Sequence, residues 1–467
     1  MKKSTATLLL TLSLLLATTL NMTSQNALAS GTGVTLPPIP APVFHNVTVY
    51  RDSFGVPHIY AEETSDAYYA LGYVMAQDRI FQMDLFRRSV AGRLSEIFGP
   101  SMLKTDMLMR TLGIYKIAQD TYATLPSEYK TNLEQFARGV NRYIREWPDG
   151  IPFEYRLLSF KFGVPLSEVL PYPWTPPDSV AIAGMMGLML TDTSSEELIR
   201  GAFMKYVEPT MPGITDFLMP LGWINATTIM DEDPPIGEAA LIQSITQPLR
   251  EFLGFSSLGS NNWVISSNKS ATGNALLCND PHLDLRTPGI NWEVHIKTKE
   301  FNVVGVMIPG GPVIYSGHND YIAFGVTNLM ADVLDLYYYV FDNPTLPTKY
   351  WYVDHWEPLT VRTEIIKVLG QPTPTIIPVL ETRHGPLVQI PGVGTYAFRW
   401  VGRERGYGEV VGFTEIMKAK NLEEWRQALT HMTVIIQNYV YADKEGNIAW
   451  WPSGAIPIRD PTGGPLG

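Results

Sequence analysis

Cysteine is nearly absent from these 467 residues. The single one, Cys278, excludes an intrachain disulfide, so packing or a bound ion must hold the fold. Its setting, Ala275-Leu276-Leu277-Cys278-Asn279, reads as a buried strand position rather than a reactive thiol. No block of Lys and Arg stands out and the formal net charge is -11, which argues against a nucleic-acid-binding surface. Beyond the N-terminus no apolar run is long enough to span a bilayer, so no stable membrane span is expected once that end is removed. There is no Gly-x-Ser-x-Gly elbow and no His-Glu-x-x-His zinc motif, which disfavours an α/β-hydrolase and a zincin. Ser266-Ser267-Asn268-Lys269 spells Ser-x-x-Lys, but neither a Ser-Asp-Asn nor a Lys-Thr-Gly element accompanies it. No internal repeat or low-complexity tract occurs.

What is present begins with an export signal over residues 1–29. Lys2 and Lys3 are its charged start, Leu8 to Leu20 its apolar run, and Ala27-Leu28-Ala29 its small-residue cleavage site. A proline-rich leader follows. With 45% hydrophobic residues the chain can bury a large core. Val47 to Tyr60 reads as two strands turning at Phe54-Gly55-Val56-Pro57. Thr64 to Phe98 reads as helix, with Thr64 as N-cap and Phe81, Leu85 and Phe86 on its apolar face. Helical patterns continue past Tyr143. Ser179 to Tyr206 reads as a long helix interrupted at Thr191 to Glu196, where oxygen donors suit a hard cation. Strands are expected at Asn262–Ser266, Ala275–Cys278, Asn291–Thr298, Phe301–Met307, Ala323–Thr327 and Val333–Val340. Helix-rich then strand-rich halves suit an α+β domain better than a parallel α/β fold.

Leu258 to Ile265 is a small-residue turn opening into an apolar strand, centred on the Gly259-Ser260 bond. If that bond is cut, Ser260 carries a hydroxyl and an α-amino group on one residue. The amine, with an ordinary pKa of roughly 7.7 to 8.0, can take the hydroxyl proton at neutral pH without a histidine. Gly259 lacks a Cβ and can adopt the strained dihedrals such a cut requires. Taken alone, the same residues also read as an ordinary turn before a strand.

Seven segments in order carry a wider resemblance: Arg51-Asp52-Ser53-Phe54-Gly55-Val56-Pro57-His58-Ile59, Gly72 to Arg79, Gly92-Arg93-Leu94-Ser95-Glu96, Gly259-Ser260-Asn261-Asn262-Trp263, Asn279-Asp280-Pro281-His282-Leu283, Gly317-His318-Asn319 and Tyr441-Ala442-Asp443. Together they resemble the penicillin acylase family, secreted precursors that cut themselves to expose an N-terminal nucleophile. The resemblance implies a four-layer αββα sandwich and an α/β heterodimer made from one precursor. It divides the chain into a signal peptide (1–29), a helix-rich α-chain (30–228), a linker peptide (229–259) and the strand-rich start of a β-chain (260–467). The surface-loop reading of the linker stays open.

The resemblance also implies roles. Ser260 is the nucleophile, Gly259 the processing residue, His282 the residue that steadies the terminal amine, and Asn328 the main-chain oxyanion donor. Met186, Leu190, Leu283, Ser316 and Gln437 fall at positions lining the acyl pocket. Their aliphatic or small character favours an aliphatic or larger acyl group over a flat aromatic one. Asn438 falls at a position lining the pocket region. Calcium is implied at Glu196, Asp332 and Asp335 with the backbone carbonyls of Leu334 and Pro465. The second oxyanion donor and one more aspartate of the family belong to a segment beyond Gly467. On this reading the chain is a truncated precursor or fragment, prone to aggregate and nearly inactive. The expected activity is hydrolysis of the amide in a small molecule, a β-lactam side chain or an N-acyl homoserine lactone. The alternative is an uncleaved relative acting as an exported binding or structural protein.

Overall fold

Asp52 sets the first turn. Its Oδ1 accepts the backbone N–H groups of Phe54 and Val56, both at 2.9 Å, and closes β1 (Val47–Arg51) onto β2 (Pro57–Ala61) around Gly55, whose φ is 83°. A computed structural model describes residues 46–191, 251, 253, 259–390 and 394–458.

The first half is helical: α1 (Thr64–Val90), α2 (Leu103–Leu112), α3 (Ile114–Thr124), α4 (Ser127–Glu146), α5 (Phe153–Phe162) and α6 (Pro176–Thr191). The expected N-cap is off by one residue. Glu63 occupies the cap without a side-chain bond, and Thr64, already helical, donates its hydroxyl to Thr298 at 3.4 Å. Helices α1 and α4 cross in close contact because two glycines face each other's backbone. A Cβ on Gly72 would lie 2.1 Å from the Phe136 carbonyl, and one on Gly139 2.0 Å from that of Tyr69. Further along, α1 buries charge. Asp84 accepts from Arg87 Nε (2.8 Å), Arg88 Nε (3.0 Å) and the Tyr155 hydroxyl (3.1 Å), and Arg87 reaches on to Asp178 of α6 at 3.5 Å. This network ties α1, α5 and α6 together.

The second half supplies β3 (Gly259–Ile265), β4 (Leu276–His282), β5 (Trp292–Lys297), β6 (Asn302–Met307), β7 (Ser316–Asn319), β8 (Ile322–Asn328), β9 (Leu334–Tyr338), β10 (Lys349–Tyr352), β11 (His355–Pro358), β12 (Thr360–Ile366), β13 (Thr375–Thr382), β14 (Gly385–Ile390), β15 (Gly394–Trp400), β16 (Gln437–Asp443) and β17 (Ile448–Ser453). An eight-stranded sheet runs β1-β2-β5-β6-β7-β8-β16-β17, antiparallel except where β2 meets β5. A five-stranded sheet runs β12-β13-β14-β15-β9. The hairpins β3-β4 and β10-β11 are separate. The six expected strands all form, with shifted ends. The five-stranded sheet was expected only at β9, and a short helical turn (Val401–Arg405) and the helices α7 (Glu409–Lys418) and α8 (Leu422–Leu429) interrupt the strand-rich half. The fold is α+β. Among the described residues no helix is long and apolar enough to cross a membrane.

Cys278 corrects an expectation. Exposure along β4 alternates, so Leu277 and Asn279 turn inward while Cys278 is exposed. An apolar neighbourhood in sequence does not bury a residue of the wrong parity.

Candidate active site

The β3-β4 hairpin lies across β8 and β16, held by side-chain amides. Asn279 of β4 treats the Val326 peptide as a strand would: its Nδ2 donates to the Val326 carbonyl (2.8 Å) and its Oδ1 accepts the Val326 N–H (3.1 Å). The same oxygen accepts the Ser316 hydroxyl at 2.7 Å. Asn262 of β3 donates to the Asn438 carbonyl at 3.3 Å. Room for Asn279 comes from Gly325, where a Cβ would stand 2.8 Å from that of Asn279.

This seating brings the Gly259-Ser260 bond to the wall of a cavity of about 300 Å³. One face of α6 contributes Ile182, Ala183, Met186 and Leu190, at helical spacing. Val410 and Phe413 come from α7, Val326 and Asn328 from β8, and Ile435 and Gln437 from β16 and its approach. Pro281, Leu283, Ile308 and Val313 complete a mainly apolar lining. Of the five residues expected at an acyl pocket, Met186, Leu190, Leu283 and Gln437 line this cavity. Ser316 does not line it, because its hydroxyl is taken up by the Asn279 clamp. Asn438 stays out as well: its Oδ1 accepts from Trp450 Nε1 at 3.0 Å and its Nδ2 donates to the Asn328 carbonyl at 3.3 Å. Ala183, Phe413 and Ile435 were not singled out in the sequence. The repeat of small and apolar residues along α6 was the one signal available for Ala183; Phe413 and Ile435 lie outside that helix and had none.

Asn328 stands at the rim. The Leu329 N–H donates to the Ile436 carbonyl at 3.2 Å, and Asn328 faces Gln437, so the ladder's alternation turns the Asn328 N–H away from β16. That edge is the one where Asn279 takes the Val326 N–H and where the β7 pairing reaches only Phe324. The Asn328 side chain donates to the Leu190 carbonyl (3.0 Å) and accepts the N–H of Met330 (3.2 Å), a residue held at φ 57°. Gln437 and Glu409 are among the polar residues in the mainly apolar wall. Gln437 is 3% exposed and its Nε2 has no hydrogen-bond partner among the described residues. Glu409 is buried, which pushes its carboxyl up, while the N–H groups of Ile435, Thr433 and Val434 partly offset that shift.

His282 pairs with Gly259 across the hairpin and is half-exposed; its Nε2 lies 2.8 Å from Asp280 Oδ2. Asp332 and Asp335 flank the start of β9, where Leu334 is buried, and Asp332 Oδ1 lies 3.5 Å from the Leu334 N–H. Glu196 and Pro465, and nearly all of the 229–259 segment, lie outside the described residues. Among the described residues no three or more His, Cys, Asp or Glu side chains form a metal cluster.

A hairpin that carries a Gly-Ser bond to the mouth of an apolar cavity, seated on an α+β scaffold, marks the class. The chain belongs to the penicillin amidase family, whose model matches residues 46–466. It is 29% identical over 442 residues to the acyl-homoserine lactone acylase QuiP of Pseudomonas aeruginosa, covering 89% of this chain and 50% of that protein. To the penicillin acylase 2 proenzyme of Pseudomonas sp. (strain SE83) it is 31% identical over 376 residues, covering 76% of this chain and 44% of that one. To penicillin G acylase of Escherichia coli it is 26% identical over 470 residues, covering 88% and 54%. The chain spans about half the length of the curated relatives it matches.

Proposed function

We propose that this chain is an exported, self-processing acylase precursor that hydrolyses the amide bond of a small N-acyl compound through Ser260. The observation that carries the reading is the position of the Gly259-Ser260 bond on the wall of an apolar cavity, beside Asn328. Cleavage there makes Ser260 a terminus whose amine serves as base to its own hydroxyl. The Ser260 oxygen attacks the substrate carbonyl, and the Asn328 N–H donates to the oxygen that becomes negative. The acyl chain lies between Met186, Leu190 and Leu283; the leaving amine takes up the proton held by the Ser260 amine as the C–N bond breaks, and water then hydrolyses the ester on the Ser260 oxygen to release the acid. Residues 1–29 act as the export signal, the α+β arrangement is a four-layer αββα sandwich, and the two products of processing form a heterodimer.

The named relatives act on acyl homoserine lactones or penicillins. The aliphatic walls here favour the former, or another aliphatic N-acyl amide. With Ala183→Phe, which shortens the cavity, kcat/KM for a dodecanoyl homoserine lactone should fall about 10- to 200-fold while a butanoyl substrate is little affected. Equal loss for both chain lengths would show that the acyl group binds elsewhere.

Calcium belongs to the same proposal. The donors Glu196, Asp332, Asp335 and the carbonyls of Leu334 and Pro465 are all oxygen, as a hard cation requires. The ion would act structurally, holding the start of β9. Chelation should lower the Tm of the processed protein, and Asp332→Ala should remove that response. A Tm that chelator leaves unchanged, with no metal by elemental analysis, would count against the site.

A further inference from the structure

Strands β2 and β5 meet in the one parallel pairing among the described strands of the eight-stranded sheet, and their register spans only His58 to Tyr60 against His295 to Lys297. Its first pair is His58 opposite His295. Ile59, Val294 and Ile296 are buried, so alternation turns both histidines to the other face of the sheet, where each is partly buried. Their Nδ1 atoms lie 2.9 Å apart and their ring planes stand at 83°.

The groups on the far nitrogens decide where the hydrogens are. Asn302 donates through Nδ2 to Asp320 Oδ1 at 2.7 Å, which fixes its amide, since a carboxylate only accepts. The Asn302 Oδ1 then accepts from His295 Nε2 at 2.8 Å. A neutral His295 therefore carries its hydrogen on Nε2 and leaves Nδ1 bare. His58 Nε2 faces a carboxylate as well, with Asp52 Oδ2 at 3.7 Å, a charge contact longer than a hydrogen bond. That carboxylate likewise favours a hydrogen on Nε2. Two bare Nδ1 atoms then face each other, a repulsive arrangement unless a cation stands with them.

We propose that His58 and His295 bind a borderline divalent transition-metal ion, such as zinc, through their Nδ1 atoms. Nitrogens bonded to one ion at roughly 2.0–2.1 Å stand about 2.9 Å apart at a right angle and about 3.4 Å apart at a tetrahedral one, so the pair already has the separation of two ligands. An oxygen acceptor on the second ring nitrogen is the outer partner that metal-bound histidines have. Water completes the coordination. Imidazole suits zinc, copper and nickel, whereas the calcium proposed above takes oxygen donors, so the two sites differ in chemistry. Because β2 precedes Gly259 and β5 follows Ser260, the ion ties the two product chains together on the self-processing reading.

Zinc titration of the full natural protein, by calorimetry in excess calcium, compares wild type with His58→Ala, His295→Ala and Asn302→Leu. Wild type should bind one zinc more than either histidine variant, and Asn302→Leu should weaken that site about 10- to 100-fold. In nitrogen-15 spectra of wild type, zinc should shift both Nδ1 signals and leave both Nε2 atoms protonated. Histidine variants that bind as much zinc as wild type, or Nδ1 signals that zinc leaves in place, would overturn the inference and return the pair to a plain hydrogen bond. The spectra need no variant, so a substituted chain that fails to fold leaves the test intact. Ser260→Ala, expected to stay uncut, should bind zinc as wild type does. Failure of self-processing therefore leaves the zinc site standing, and failure to bind zinc leaves the self-processing reading standing.

Discussion

Asp84→Ala should destabilise the protein by about 3–5 kcal/mol, a large share of the roughly 5–15 kcal/mol typical of a folded domain. Asp84, Arg87 and Arg88 are almost wholly buried, and removing the carboxylate leaves two guanidinium groups facing each other without their shared partner. The Tyr155 hydroxyl loses its acceptor as well. Burial alone would raise the Asp84 carboxyl, but Arg88 and Arg87 outweigh it and hold the group below its usual range. Its contribution is therefore complete at neutral pH and above, and is lost only as pH falls through the depressed folded value. Chemical denaturation at pH 7 measures the difference. A loss under about 1 kcal/mol would mean that Asp178 and Glu96, which Arg87 and Arg88 already contact, suffice for the two charges.

The second large effect is on chemistry. Ser260→Ala should leave a single uncut chain with amide hydrolysis at background, because one oxygen is asked to act in both maturation and turnover. The fold should survive the change. Ser260 sits on a hairpin held by the amides of Asn279 and Asn262, which the substitution does not touch. Circular dichroism and Tm should therefore match the wild-type precursor while gel and mass analysis differ. A cut Ser260→Ala variant would assign the nucleophile to another residue.

Motif residues were legible in the sequence, but their work was not. Asp52 binds the turn it belongs to, and Arg51 forms a two-point contact with Asp78 (2.9 and 3.0 Å) that also receives the Trp292 indole N–H at 2.9 Å. Asn319 donates to the Met417 and Ala419 carbonyls, pinning the β7-β8 turn to the end of α7. Asp443 accepts from Tyr441 and Asn447 at the β16-β17 turn. These segments stand out because turns and clamps need particular side chains. Asn279 was quoted as part of a motif, yet its pairing with Val326, distant in sequence, could not be read from spacing.

The strands that went unread have a physical cause too. Thr375 to Thr382 carries Pro378 inside its apolar run and the turn before it carries Pro372 and Pro374, and proline argues against a strand in the sequence. Ser316 falls beside the cavity in sequence register and is drawn off by one hydrogen bond. Met186, Leu190, Leu283 and Gln437, from three separate parts of the chain, do meet around the Gly259-Ser260 bond.

N-terminal sequencing of the chains present after expression of the full natural precursor tests the central claim most directly. Two chains are expected, one beginning Ser260-Asn261-Asn262-Trp263. A single intact chain, or a cut at any other bond, would contradict it.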